Sequence, residues 1–146
     1  MSAARPIAAR LLLLAAACLG GLAAGGALAQ DPRATAAQAA ARAWLATTDR
    51  GDADASWAAA GKKFQTALDA AGWRAALAQE RGPFGATQSR AIVATKFQTT
   101  FPKGPDGEYA LILFDTSFAK KTTARESVTL EREPDGNWRV IGYFLR

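Results

Sequence analysis

Glu126 is the residue with the clearest chemical potential in this sequence. Residues 124–133 show the alternation of a β-strand, and Glu126 falls on the same face as Val128 and Leu130. A carboxylate on an apolar face is expected only where it is paired or lies at the rim. If a second carboxylate lies beside it, the two can share a proton and act as general acid and general base. Glu126 is therefore the first catalytic candidate.

Asp115 is the second catalytic candidate, and its relation to Glu126 depends on strand register. In an antiparallel hairpin, the numbers of residues opposite each other have a constant sum. A sum of 241 places Asp115 opposite Glu126, whereas a sum of 242 places Thr116 there and dissolves the acid pair. The sequence leaves both registers open.

A structural role for Glu126 is the competing and favoured interpretation. A basic neighbour, such as Arg90 or Arg125, can pair with the carboxylate at the sheet edge. Ion pairs of this kind are common in proteins without any catalytic role. We therefore expect Glu126 to be shielded from solvent and held by a basic or hydroxyl partner.

Several classes of site lack their usual residues. The sequence has no histidine and one cysteine, Cys18, so the commonest general base, the commonest zinc ligand and a downstream thiol nucleophile are missing. We predict no metal site and no cofactor. The net charge of +5 arises from interspersed basic and acidic residues, without the dense basic patches of a nucleic-acid site. We predict no nucleic-acid partner.

Aromatic residues supply the candidates for ligand binding. The candidates are Trp57, Trp73 and Tyr143, together with Arg90. Such side chains can line an apolar pocket between helices and a sheet. Large aromatics at helical and strand spacing more often fill the core, because they contribute the most burial free energy.

Helical patterns occupy the half of the chain that follows the N-terminal segment. A first helix is predicted over 33–48, a short second helix carries Trp57 with Gly61 near its end, and a third covers 69–81. Asp52 or Asp54 can cap the second helix, and Gly82-Pro83 ends the third.

The pattern changes to period two from residue 89 onward. Strands are predicted over 89–99, 108–118, 124–133 and 138–145, with turns at 104–107, 119–123 and 134–137. Short links make successive strands antiparallel neighbours. The apolar run 110–114 marks the second strand as central. We predict a single α+β domain over 30–146, in which three helices pack on a four-stranded antiparallel sheet.

The N-terminal residues have the pattern of an export signal. Arg5 and Arg10 precede an apolar run, and Ala27-Leu28-Ala29 provides a small-x-small cleavage site. This pattern predicts a signal peptide over 1–29 and a periplasmic or secreted protein, with no membrane span after cleavage. Two alternatives remain open at this point: a membrane anchor, which the glycines at 20–21 and 25–26 disfavour, and lipidation at Cys18.

A set of short segments, taken in order, resembles a known family. They are Trp57, Phe64, Trp73, the run 81–85, Arg90, the run 105–109, the run 116–118, the run 126–130 and the run 136–144. Together they resemble the secreted bacterial family called domain of unknown function 4019. The resemblance implies a cystatin-like or nuclear-transport-factor-2-like shape and a Gram-negative periplasm. It implies no activity and no catalytic residues.

Two classes of function follow from these residues. The first is a non-catalytic module that binds a small ligand or an envelope protein through the concave face or an edge strand of the sheet. The second is a carboxylate-based isomerase or hydrolase that uses Glu126 with or without Asp115. The first is favoured because histidine, downstream cysteine and metal ligands are absent. A homodimer formed through the sheet is a further arrangement that the sequence allows.

Overall fold

The computed structural model describes residues 31–146, so the predicted signal peptide at 1–29 and Cys18 lie outside the described residues. The helices are α1 (Pro32–Asp49), α2 (Ala53–Ala59), α3 (Lys62–Ala67) and α4 (Ala70–Arg81), followed by a short 3₁₀ turn (Gly82–Phe84). The strands are β1 (Thr87–Gln98), β2 (Tyr109–Phe118), β3 (Lys121–Arg132) and β4 (Trp138–Leu145). The predicted α+β class is confirmed.

Aspartate side chains begin three of the four helices. Asp31, Asp52 and Asp69 each accept a hydrogen bond from a backbone N–H of the first turn of α1, α2 and α4, respectively. These bonds satisfy donors that have no partner within the helix. Of the two caps considered for the second helix, Asp52 is the one used.

The prediction of three helices is wrong for the described residues, which contain four. The predicted second helix, with Gly61 near its end, corresponds to α2. The helix that the sequence did not predict is α3, and it is separated from α2 by Ala60 and Gly61, both of which are extended. The Gly61 N–H donates to the Val140 carbonyl at 2.8 Å, which ties the chain to β4 at this point. A Cβ on Gly61 would lie 3.0 Å from the Ile141 side chain, so a larger residue would require that side chain to move.

The four strands form one antiparallel sheet in the order β1-β2-β3-β4. The predicted meander is confirmed, and β2 lies in the interior as its apolar run indicated. The loop between β1 and β2 covers residues 99–108 and is longer than the turn predicted at 104–107. In this loop Phe101 stacks on Tyr109, and the Tyr109 hydroxyl donates to the Pro105 carbonyl.

The core lies between the helices and one face of the sheet. Ile112, Phe114, Val128 and Leu130 are fully buried on that face. A cluster of aromatic rings from the helices and β4 packs against them, with centroids 5.0 to 6.3 Å apart: Trp44, Phe64, Trp73 and Tyr143. Because this domain has no disulfide, aromatic packing is a main source of its stability.

Candidate functional site

Glu126 is completely buried and its two carboxylate oxygens accept hydrogen bonds from three side chains. Arg90 Nε and Thr116 Oγ1 each donate to Oε2 at 2.6 Å. Tyr143 Oη donates to Oε1 at 2.6 Å, and Arg90 Nη2 donates to the same oxygen at 3.2 Å. The prediction that Glu126 is shielded from solvent and held by a basic or hydroxyl partner is confirmed. Arg90 is the basic partner, and Thr116 and Tyr143 are the hydroxyl partners.

Each strand contributes one side chain to this cluster. Arg90 comes from β1, Thr116 from β2, Glu126 from β3 and Tyr143 from β4. Their side chains meet because the register brings these positions to the helix-facing side of adjacent strands. The cluster therefore joins all four strands under the helices.

Asp49 and Arg81 extend the cluster to the ends of two helices. Asp49 ends α1 and accepts hydrogen bonds from Arg90 Nη1 at 2.8 Å and from Arg81 Nη2 at 2.7 Å. Arg81 ends α4, and its Nη1 lies 3.8 Å from Glu126 Oε1. Two arginines thus face two carboxylates, and the formal charges balance. An acidic residue opposes the dipole at a helix C-terminus, and the two guanidinium groups compensate for this at Asp49.

The surroundings of the cluster lower the pKa of Asp49 and raise the pKa of Tyr143. Burial alone would raise the pKa of Asp49, but hydrogen bonds from Arg90, Arg81 and Thr87 outweigh it and lower the pKa to about 2. Burial raises the pKa of Tyr143, and the neighbouring Glu126 carboxylate raises it further. Asp49 is therefore ionised and Tyr143 protonated at neutral pH.

Asp115 does not lie beside Glu126, so the proposed acid pair is wrong. The observed β2–β3 register pairs Phe114 with Glu126 and Asp115 with Arg125. The residue numbers of each pair add up to 240, so the register is neither of the two that the sequence left open, whose sums were 241 and 242. The two-residue link at 119–120 and an irregularity between Thr116 and Phe118 set this register. Asp115 lies on the outer face, where it binds Arg125 at 2.6 Å in an exposed ion pair.

A mostly apolar groove runs beside β4 and meets the buried cluster at Tyr143. Its volume is about 500 Å³. The helical side is formed by α3, α4 and the link between them, and the strand side by the end of β4, with Thr129 of β3 and Phe101 of the first hairpin loop: Phe64, Ala67, Leu68, Trp73, Ala76, Leu77, Glu80 and Ile141, Gly142, Tyr143, Phe144, Leu145. A volume of this size fits a small ligand or a few side chains.

The four ligand-binding candidates have different positions. Trp73 and Tyr143 line the groove. Arg90 belongs to the buried ion-pair cluster. Trp57 lies outside the groove lining, where its Nε1 donates to the Leu68 carbonyl at 2.8 Å. Tyr143 is the one candidate that contacts both the groove and Glu126.

The sequence interpretation did not assign Asp49 or Arg81 to the site. Asp49 directly follows the predicted first helix, and Arg81 is the last residue of the predicted third helix. The available signal was an acid at a helix C-terminus, which electrostatics disfavours unless a cation lies close by.

Within residues 31–146, no group of three or more Cys, Asp or Glu side chains has the arrangement to hold a metal ion. Over the same range, no helix has the length and apolar character needed to cross a bilayer.

The comparison with known proteins identifies a family. No curated protein and no solved structure shows significant similarity to the chain. One family model, described as Protein of unknown function (DUF4019), matches residues 40–143. This range covers most of the chain, including α2 to α4, all of β1 to β3 and most of β4. The chain therefore belongs to the DUF4019 family.

Proposed function

We propose that this protein is a non-catalytic binding module of the cell envelope, and that the apolar groove beside β4 is its binding site. The observation that carries this proposal is the groove itself, an apolar depression of about 500 Å³ whose lining includes Phe144, which is 73% exposed. A contiguous apolar surface exposed on a protein commonly marks a site for a ligand or partner.

The buried cluster supports binding over acid–base catalysis. Glu126 is 0% exposed, and both of its oxygens already accept hydrogen bonds from Arg90, Thr116 or Tyr143. A general base must come within hydrogen-bonding distance of the substrate proton. A substrate would have to displace these donors from Glu126 and open the sheet–helix interface. The enzymatic alternative, an isomerase or hydrolase, is therefore the weaker proposal.

We also propose the finer features that the sequence suggested. The helices that cover one face of a curved meander support a cystatin-like or nuclear-transport-factor-2-like shape. The charged start, apolar run and Ala27-x-Ala29 pattern support export with removal of residues 1–29. These features would place the groove in the periplasm or outside the cell.

A fluorescent apolar probe tests the proposed site. N-phenyl-1-naphthylamine becomes brighter when it enters an apolar environment, so its titration measures occupancy of the groove. Ala67→Trp places an indole in the groove from an exposed position on α3, and we expect it to abolish the fluorescence increase. Ala75→Trp, at an exposed position of α4 outside the groove lining, is the matched control and should bind the probe like the wild type.

The same titration has an outcome that rejects the proposal. Equal probe binding by wild type and Ala67→Trp would place the binding elsewhere, and absence of binding to wild type would remove the groove as an apolar site. Circular dichroism of both variants would show that each remains folded.

A further inference from the structure

The last residues of β4 leave main-chain hydrogen-bonding groups without partners. Arg125 and Arg146 exchange both of their backbone hydrogen bonds, at 2.8 and 3.1 Å. In an antiparallel ladder such pairs alternate with pairs whose N–H and C=O groups point away from each other. Leu145, opposite Glu126, and Tyr143, opposite Val128, occupy the second kind of position. Their N–H and C=O groups therefore point to the free edge of the sheet, where nothing in the described chain bonds them.

This free edge has a defined length. At Val140 the outward carbonyl is already occupied by the Gly61 N–H, because the chain between α2 and α3 lies against the strand there. The open part of the edge therefore runs from Ile141 to the end of β4 at Leu145. It accommodates about five residues of a neighbouring strand.

The groove lies along this same stretch of β4 and is mostly apolar, and Glu80 is the one charged residue of its lining. Glu80 forms neither an ion pair nor a hydrogen bond with any described residue. Gly142 also lines the groove, and no positive φ or tight contact within the chain requires a glycine there, since an added Cβ would approach Thr129 no closer than 3.6 Å. A glycine inside a strand often marks a place where another backbone approaches closely.

Resting on the proposed function, we propose that the natural occupant of this site is an extended peptide segment of another protein, which adds a fifth strand to the sheet at β4. Its main chain pairs with Tyr143 and Leu145. Side chains on one face of the added strand enter the apolar groove, and a basic side chain pairs with Glu80. This is the β-augmentation mode of recognition, in which main-chain bonds give affinity and alternate side chains give specificity.

The opposite edge of the sheet is less suited to strand addition. β1 has two register irregularities, between Thr87 and Ser89 and between Ile92 and Ala94, whereas the pairing of β4 has one, at Ile141 where the open edge begins. Bulges and lysines on edge strands discourage further pairing, and Lys96 also lies on β1. Val93, 47% exposed on β1, is therefore the appropriate counterpart of Phe144 for a control.

Selection from a displayed library of random peptides tests the proposal. The target is the protein purified from the cells that produce it, with the N-terminus that those cells leave. We expect enriched peptides to have apolar residues at alternate positions and at least one Lys or Arg. Individual peptides would then be synthesised and their affinities measured by fluorescence anisotropy.

N-methylation of the peptide backbone distinguishes strand addition from simple burial of side chains. Only every second amide of an added strand faces β4, so N-methylation of one alternating set should weaken binding by about tenfold or more, and N-methylation of the other set should have little effect. Equal effects of the two sets would overturn the proposal.

Variants of the protein locate the binding edge. We expect Ala67→Trp and Phe144→Ser to weaken binding of the selected peptide, and Glu80→Gln to weaken it mainly at low ionic strength. Val93→Ser and Ala75→Trp should bind like the wild type. Peptide binding that is unaffected by Ala67→Trp and Phe144→Ser would overturn the proposal.

Two other results separate this inference from the proposed function. If no peptide is enriched while N-phenyl-1-naphthylamine still binds wild type and not Ala67→Trp, the groove is a small-ligand site and strand addition is rejected. If sedimentation equilibrium shows a dimer that Phe144→Ser dissociates, a second copy occupies the edge and a partner peptide is rejected. Failure of both the probe and the peptides rejects both proposals.

Discussion

Glu126 shows how a single buried charge organises its surroundings. Removing a carboxylate from water is costly, and the cost is offset only when several donors surround it. Arg90, Thr116 and Tyr143 provide these donors, and Asp49 accepts the remaining hydrogen bonds of Arg90. The result is a network in which the loss of one partner leaves another buried charge unsatisfied.

Glu126→Gln should lower stability. The amide keeps the shape of the side chain, but it removes the charge that balances Arg90 and cannot accept hydrogen bonds through its nitrogen. Breaking a buried pair costs about 3–5 kcal/mol, and we expect about 3 kcal/mol here because Asp49 still binds Arg90. Each kcal/mol lowers Tm by about 4–8 °C in a domain of this size, so calorimetry should detect a fall of roughly 10 °C or more.

Asp115→Asn is the matched control for that measurement. Asp115 also pairs with an arginine on the neighbouring strand, but its side chain and that of Arg125 are about half exposed. Exposed pairs contribute only about 0–1 kcal/mol. A Glu126→Gln variant as stable as Asp115→Asn would contradict the structural role of Glu126.

Asp49 should make stability depend on pH in the acid range. Its pKa is about 2 in the folded protein, below the ordinary value of 3.8. A lowered pKa contributes stability that is fully present above about pH 4 and is lost as the pH falls toward about 2. Asp49→Asn should therefore be less stable at neutral pH and should show a smaller loss between pH 4 and pH 2. Urea unfolding at a series of pH values tests this, and parallel curves for the two proteins would contradict it.

The β3–β4 hairpin shows how a turn fixes the position of a whole element. Gly136 adopts a φ of +83° in the turn before β4, a conformation that β-branched residues rarely adopt. The turn sets the register of the first part of β4, which places Val140 beside Leu130. An irregularity between Thr129 and Leu130 then shifts the register by one residue, so that Tyr143 lies beside Val128. The turn and this irregularity together determine which backbone groups of β4 face outward.

Gly136→Val should destabilise the protein by about 1–3 kcal/mol because valine is strained at positive φ. Gly142→Val is the matched control, since Gly142 lies in a strand with ordinary φ and room for a Cβ. Valine favours strands, so this control should change the free energy of unfolding by less than about 1 kcal/mol. Chemical denaturation of both variants measures the difference, and equal losses would contradict the positive-φ argument.

The molecule as a whole is joined by one polar network and one apolar core. The network connects the ends of α1 and α4 to all four strands through Asp49, Arg81, Arg90 and Glu126. The core joins the same layers through the aromatic cluster. The groove adjoins both, because Phe64 and Trp73 of the core and Tyr143 of the network line it.

The N-terminal export pattern predicts where the mature chain begins. We expect Gln30 to be the mature N-terminus, because Ala27-x-Ala29 follows the apolar run. Intact-mass measurement of protein from its own host tests this. A mass that retains Met1, or a diacylglyceryl adduct on Cys18, would reject a soluble periplasmic protein.

The sequence by itself determined the order and type of most elements. The period-two pattern after residue 89 and the short turns predicted the meander, because short links permit only antiparallel neighbours. Strand alternation placed Glu126 on the face of Val128 and Leu130, and the need to satisfy a buried carboxylate predicted its shielding and a partner such as Arg90. These inferences needed only local geometry and the cost of burying charge.

The tertiary structure alone decided the register, the composition of the cluster and the site of the groove. A difference of one residue in the β2–β3 register separates Asp115 from Glu126. The two-residue link between these strands and the irregularity near the end of β2 set that register. Asp49 and Arg81 reach the cluster from the ends of α1 and α4, and Gly61, between α2 and α3, donates its N–H to β4. Such contacts join residues far apart in sequence, so they depend on how whole elements pack and have no local pattern from which to read them.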